Sequence, residues 1–212
     1  MVDRFRPHQW PGSAPSHWVL DQAGAAVVAA DRGVDVKDLP WRHERAMALQ
    51  DSSTLRHRVG CNGFFTALLR EARGAGDRRL AAWWSASYCA AQWGELARPD
   101  GYGVWLEGDA RVPFLLEYDR GTESGPRLAE KLPGYKRLLS VAVSPTWLLF
   151  CFESTRREVE VRRALVNGPA ELATAVVLRG SSPARAVWLP LGASQRLRLD
   201  ELAHAVSGRV AG

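Results

Sequence analysis

Asp100, Glu117, Asp119, Lys131 and Tyr135 fall within one stretch, residues 98–135, at spacings that a strand hairpin followed by a helix would gather together. Two carboxylates two residues apart at a strand end, with a third across the hairpin, suit an oxygen-preferring divalent ion such as Mg²⁺ or Mn²⁺. A lysine beside them would neutralise charge developing on a phosphate or orient a water molecule. The same acids also suit a solvated hairpin end, and a helix lysine is by default solvated and worth little.

The elements that must position these groups can be read from the pattern around them. Residues 102–106 read as a strand, Glu107-Gly108-Asp109-Ala110 as a turn and 112–118 as the returning strand. Side chains alternate along a strand, so Glu117 and Asp119 share one face while Phe114, Leu116 and Tyr118 share the other. Thr122 or Ser124 then caps a helix with Pro126 in its first turn. Leu128, Lys131, Tyr135 and Leu139 recur at helical spacing, which puts Lys131 and Tyr135 on one face. Pro133 removes the hydrogen bond to Ala129 and predicts a kink or an early end.

The segments RPDG, LEYDRGTE and KLPGY resemble the core motifs of the replication-relaxation family of plasmid and mobile-element proteins. The resemblance continues through WVLDQAGAAVVAADRG, LRHRVGCNGFFTALLREA, LLFCFESTRREVEVRRAL and AVWLPL. It implies a DNA-associated protein in which a winged-helix region precedes a domain similar to PD-(D/E)xK nucleases. Under it, Pro99-Asp100 matches the PD element and Glu117 the acid of the second element. Asp119 stands where the usual lysine would be, and Lys131 becomes the displaced lysine. Tyr135, four residues on, resembles a Q-x-x-x-Y helix with lysine in the first position. Asp100, Glu117 and Asp119 would then hold Mg²⁺ or Mn²⁺. The E-x-D arrangement lacks the charge that helps activate an attacking water, and the upstream helix offers no carboxylate before Glu95. Two readings stay open: a metal-dependent nuclease with a rearranged lysine, or a nuclease-like domain kept for binding DNA or for recruiting a relaxase or replication initiator.

At 212 residues and 46% hydrophobic content, the chain can bury one substantial core with a smaller appendage. A net charge of +5 would attract a polyanion. The basic residues are almost all arginine, 25 against 3 lysines, a bias that a GC-rich genome also produces. Cys61, Cys89 and Cys151 are odd in number, far apart and set in apolar patterns, so core packing is expected rather than zinc or disulfides. No signal peptide and no membrane-length apolar run is present in the sequence, which predicts a cytoplasmic protein with no membrane partner. GxGxxG, Walker-type and HExxH signatures are missing, so no nucleotide, zinc or organic cofactor is expected.

Along the chain, residues 1–16 read as a flexible arm, 17–50 as a partial winged-helix-like segment with its connector, and 51–212 as a nuclease-like domain. A strand over 17–20 feeds a helix capped by Asp21, like a wing and its exit helix; the helix-turn-helix that would precede it is not expected in residues 1–16. A helix over 52–72 carries His57 near its apolar stripe, where a packed core histidine is the expectation. A second helix over 79–93 places Leu80, Trp83, Trp84, Tyr88 and Trp93 as core rather than as a base-stacking platform. The apolar run 147–152 reads as a buried parallel strand. Thr155 and Glu158 form a capping box for a helix over 156–166. Its Arg156, Arg157, Arg162 and Arg163, with Arg120, are candidates for contacting a DNA backbone or form a solvated face. Strands over 173–178 and 186–191 and a helix over 199–206 close the chain. The fold class expected is α/β, a restriction-endonuclease-like sheet flanked by helices after a partial winged-helix-like segment.

Overall fold

The structure, a computed structural model, describes residues 1–7, 12, 14–74, 76–178 and 180–205. The chain divides into two compact units, Met1–Val59 and Gly60–Gly212.

In the first unit, β1 (Val2–Phe5) pairs antiparallel with β2 (His17–Leu20). The segment expected as a flexible arm therefore begins as a strand, because Val2–Phe5 supplies the partner that β2 needs for its backbone groups. Residues 8–11 and 13 of that arm lie outside the described residues. Asp21 accepts from the Gly24 amide at 2.7 Å and opens α1 (Gln22–Asp31), as its spacing predicted. Leu39 packs with Ala25 and Ala29 of that helix, and α2 (His43–Met47) follows.

The helix α3 (Leu55–Arg73) leads into the second unit, and His57 on it is half-buried. The next segment departs from expectation. Residues 79–93 are not one helix: β3 (Arg78–Ser85) comes first, and α4 (Ala86–Trp93) starts only after Ser85 caps it. Burial along β3 alternates residue by residue, and a bulge lies between Leu80 and Ala82. Trp83 stacks on Phe65 while Trp84 joins Tyr88, Trp93 and Tyr102. The two tryptophans thus belong to opposite faces of a strand.

β4 (Gly101–Glu107) and β5 (Ala110–Asp119) form the expected hairpin around Gly108-Asp109. Two helices then return the chain, α5 (Gly125–Glu130) and α6 (Leu132–Ser140), broken at Lys131 where Pro133 forbids a continuous ladder. β6 (Trp147–Phe152), wholly buried, lies parallel to β5. After α7 (Thr155–Ala164), β7 (Leu172–Val176) extends the parallel part. The expected strand over 186–191 shrinks to β8 (Leu189–Pro190), followed by α8 (Leu202–Ala205). The end of the helix expected over 199–206, Val206, lies outside the described residues.

Among the described residues the sheet order is β3-β4-β5-β6-β7-β8, a mixed sheet of six strands. Its period-two pattern divides the core cleanly. Val112, Phe114 and Leu116 of β5 pack with Phe64, Phe65 and Leu68 of α3 and Leu202 of α8. Leu115 faces the other way, toward Leu128, Leu132, Tyr135 and Val161 of α5, α6 and α7. Glu117 and Asp119 continue the Leu115 row and must meet that helical layer. At about 25 cal/mol per Å² of apolar surface, burial of such side chains stabilises by about 1.5–3 kcal/mol each.

One position sets how closely α6 can approach. A Cβ on Gly134 would overlap the carbonyl oxygen of Leu96. That neighbour is backbone and has no rotamer to yield. Gly134→Ala is expected to destabilise by about 2 kcal/mol in a urea titration; an unchanged midpoint would show that the 94–97 loop gives way freely.

Candidate functional site

The site is built where β5 ends and α5 and α6 return over it. Glu117 is only 3% exposed. Its Oε2 accepts from the Lys131 Nζ at 3.1 Å and its Oε1 accepts from the Tyr135 hydroxyl. The break between α5 and α6 falls at Lys131, so the lysine sits at the corner and Tyr135 one turn further on, and both reach the same carboxylate. Asp100 enters from the residue before β4. Its amide donates to the Leu116 carbonyl and its Oδ2 accepts from the Tyr118 amide, each at 2.8 Å, which continues the hairpin ladder by one residue.

Electrostatics follow from this crowding. Burial pushes the Glu117 carboxyl up to about 7, with Asp100 adding to the rise and Lys131 and Tyr135 opposing it. Burial tends to lower the Lys131 ammonium, but Glu117 and Glu123 overcome it and hold that group above its ordinary value. Burial, then Glu117, lifts the Tyr135 phenol well above its usual range, so it stays a donor.

Asp119 shares the face but not the cluster. Its Oδ2 accepts from Arg157 Nε at 2.6 Å and its Oδ1 from the Gly121 amide at 2.8 Å. Gly121 has φ of 76°, the left-handed turn that carries the chain away from the strand. Arg157 also donates to the Glu123 carbonyl and pairs with Glu160 at 3.0 Å, strapping the loop after β5 onto α7. Among the described residues, Asp100, Glu117 and Asp119 do not converge as a three-ligand set.

Two partnerships escaped the sequence reading. Glu123 pairs with Lys131 at 2.8 Å and with Arg127 at 3.8 Å. Its place four residues before Arg127 was the available signal. Arg157 lies 38 residues from Asp119, and no local spacing could link them. The capping box also differs: Ser154, not Thr155, accepts from the Arg157 amide and caps α7. Glu158 is instead buried against Thr174 and Arg196, since an acid on the inward face of α7 must find a partner inside.

The arginines considered for DNA take three positions. Arg157 and Arg162 turn inward, the latter to Thr174 and the carbonyls of Leu189 and Pro190. Arg120 lies 3.6 Å from Glu153. Arg156 and Arg163 are exposed on α7, and Arg127, Lys136 and Arg137 are exposed on α5 and α6. Cys61, Cys89 and Cys151 are buried, and burial pushes Cys89 up to about 11 and Cys151 up to about 12.

A family model for replication-relaxation proteins matches residues 1–145. The chain belongs to the replication-relaxation family. No curated protein and no solved structure matches it. In this replication-relaxation protein the match takes in Asp100, Glu117, Asp119, Lys131 and Tyr135 and stops before β6. Membership suggests a role in replication or mobilisation of plasmids or other mobile elements. Among the described residues no helix is long and apolar enough to cross a membrane.

Proposed function

We propose that this replication-relaxation protein is a DNA-associated factor of plasmid or mobile-element replication or mobilisation, whose PD-(D/E)xK-like domain binds rather than cleaves. The observation that carries the reading is the state of Glu117: both oxygens are engaged, one by Lys131 and one by Tyr135. The donor set does not fit Mg²⁺ or Mn²⁺ in this arrangement. An ion would have to displace an ammonium from Glu117 and a guanidinium from Asp119.

The nuclease-like reading of the scaffold is supported by the hairpin beside Asp100 and bearing Glu117, the following helices with Lys131 and Tyr135, and the crossover into a parallel strand. The two-stranded β1–β2 sheet feeding α1 supports a wing and exit helix. For DNA, the exposed Arg127, Lys136, Arg137, Arg156 and Arg163 give the α5–α7 layer a positive surface of the kind a phosphate backbone attracts. A relaxase or a replication initiator is the protein partner such a platform would recruit.

The test is DNA binding in EDTA across a salt series, beside titration of Mg²⁺ and Mn²⁺ into wild type and Glu117→Ala. Salt-dependent binding without metal and without product is expected, with no heat that depends on Glu117. Nicking of supercoiled DNA, or degradation of single strands, by wild type but not by the variant would overturn the proposal.

A further inference from the structure

The corner between α5 and α6 holds two cations on one carboxylate. Lys131 Nζ lies 2.8 Å from Oε2 of Glu123, and Arg127 Nε lies 3.8 Å from Oε1. The side chains are partly open to solvent: Lys131 is 36% exposed, Glu123 34% and Arg127 70%. Two cations that share one carboxylate are also a donor pair of the kind that binds the two non-bridging oxygens of a phosphodiester.

We propose that Lys131 and Arg127 form a phosphate-binding position, and that Glu123 is its built-in occupant, displaced when a phosphate arrives. Three features support an exchange of this kind. The loop carrying Glu123 is held independently of its side chain, because Arg157 binds the Glu123 carbonyl and Asp119. The carboxylate can swing outward while the backbone stays in place. Lys131 keeps its second partner, Glu117, throughout, so it stays aimed when Glu123 leaves. Finally, Lys131 is one of only three lysines in a chain with 25 arginines. A compact ammonium has donors for a buried carboxylate and an open oxyanion at once, as Lys131 shows with Glu117 and Glu123.

The consequence is a gate on affinity. A free phosphate must compete with Glu123 each time it binds, whereas a DNA strand also held by Arg156 and Arg163 does so with many contacts in place. The biological ligand rests on the reading of this chain as DNA-associated. The anion position itself can be tested apart from it.

The experiment compares wild type, Glu123→Gln, Glu130→Gln and the double variant Glu123→Gln/Arg127→Gln against a short DNA duplex and against pyrophosphate. Glu130→Gln makes the same charge change at an exposed place on α5 and serves as the electrostatic control. Glu123→Gln should bind both probes roughly three- to five-fold more tightly than wild type. Its log K against log salt slope for the duplex should steepen by about one. Adding Arg127→Gln should remove most of the gain, and thermal melting should confirm that every variant is folded. Equal gains from Glu130→Gln and Glu123→Gln, or a gain that survives Arg127→Gln, would overturn the proposal. If no variant binds the duplex, the DNA reading fails, and the pyrophosphate series alone decides: no tightening in Glu123→Gln rejects the phosphate position. If all bind the duplex alike, this proposal fails and the DNA reading stands.

Discussion

Glu158→Ala is expected to destabilise the protein by about 2 kcal/mol, below the range seen when one partner of a fully buried ion pair is removed because Arg196 is about a third exposed. Glu158 is 1% exposed and is gripped by Arg196 at 2.5 and 3.1 Å and by the Thr174 hydroxyl at 2.6 Å. Arginines around it staple the far edge of the sheet: Arg196 donates to the Val187 carbonyl, and Arg162 to those of Leu189 and Pro190. β8 is two residues long and meets β7 in only two register pairs, Ala173 with Pro190 and Thr174 with Leu189. So short a strand cannot hold itself. Removing Glu158 leaves the Arg196 guanidinium and the Thr174 hydroxyl without their common acceptor, and the edge should loosen before the centre. Hydrogen exchange should therefore speed up over residues 187–197 well below global unfolding, while β5 and β6 stay protected. Uniform loss of protection across the sheet would reject this role for the staple.

The parts of the fold that were legible share one property, an unambiguous period. β4, β5 and β6 read correctly because their apolar residues run in strand-length segments. Pro99 and Gly108 supply turn signals on either side of β4, and 147–152 has no charged residue at all. β3 misled because RRLAAWWS has alanines and adjacent tryptophans, which fit a helical stripe as well as an alternating strand. Only tertiary packing tells them apart: Trp83 finds Phe65 on one face of the sheet and Trp84 finds Tyr102 on the other. Ser85, the N-cap that separates strand from helix, was the local signal available.

The site was legible in its near-neighbour relations. Period two put Glu117 on the face of Leu115, and four-residue spacing put Tyr135 beyond Lys131, so their meeting followed once the helices packed on that face. Asp119 was placed on the right face, yet its partner could not be read. Arg157 comes from the helix after β6, and which of the four arginines on α7 points inward depends on how that helix is rotated against α5. An acid's face is local information, whereas its counter-ion is not.

Lys131→Met should destabilise the protein in a pH-dependent way, by about 2 kcal/mol at pH 8 and by far less at pH 5. The magnitude lies below that of a fully buried pair because Lys131 is about a third exposed. The sign follows from Glu117, whose carboxyl titrates near 7 in the folded protein against an ordinary 4.5. Between those values the folded state keeps a proton that the unfolded chain has lost. Stability from this group is therefore highest at low pH, falls as pH rises toward 7, and is level above it. The fall amounts to about 3 kcal/mol for a shift of this size, and it should vanish in Glu117→Gln, whose amide does not titrate. Lys131 remains charged throughout, so it opposes the fall by favouring ionised Glu117. Without it, the proton is held to higher pH and the decline continues past 7. At pH 5 both proteins carry a neutral Glu117, still bonded by Tyr135, and the lysine matters little. Urea titrations of wild type, Glu117→Gln and Lys131→Met from pH 4 to pH 9 measure all three curves. A Lys131→Met cost that is the same at both ends of that range would mean that Lys131 stabilises through its pair with Glu123 rather than by holding the charge on Glu117.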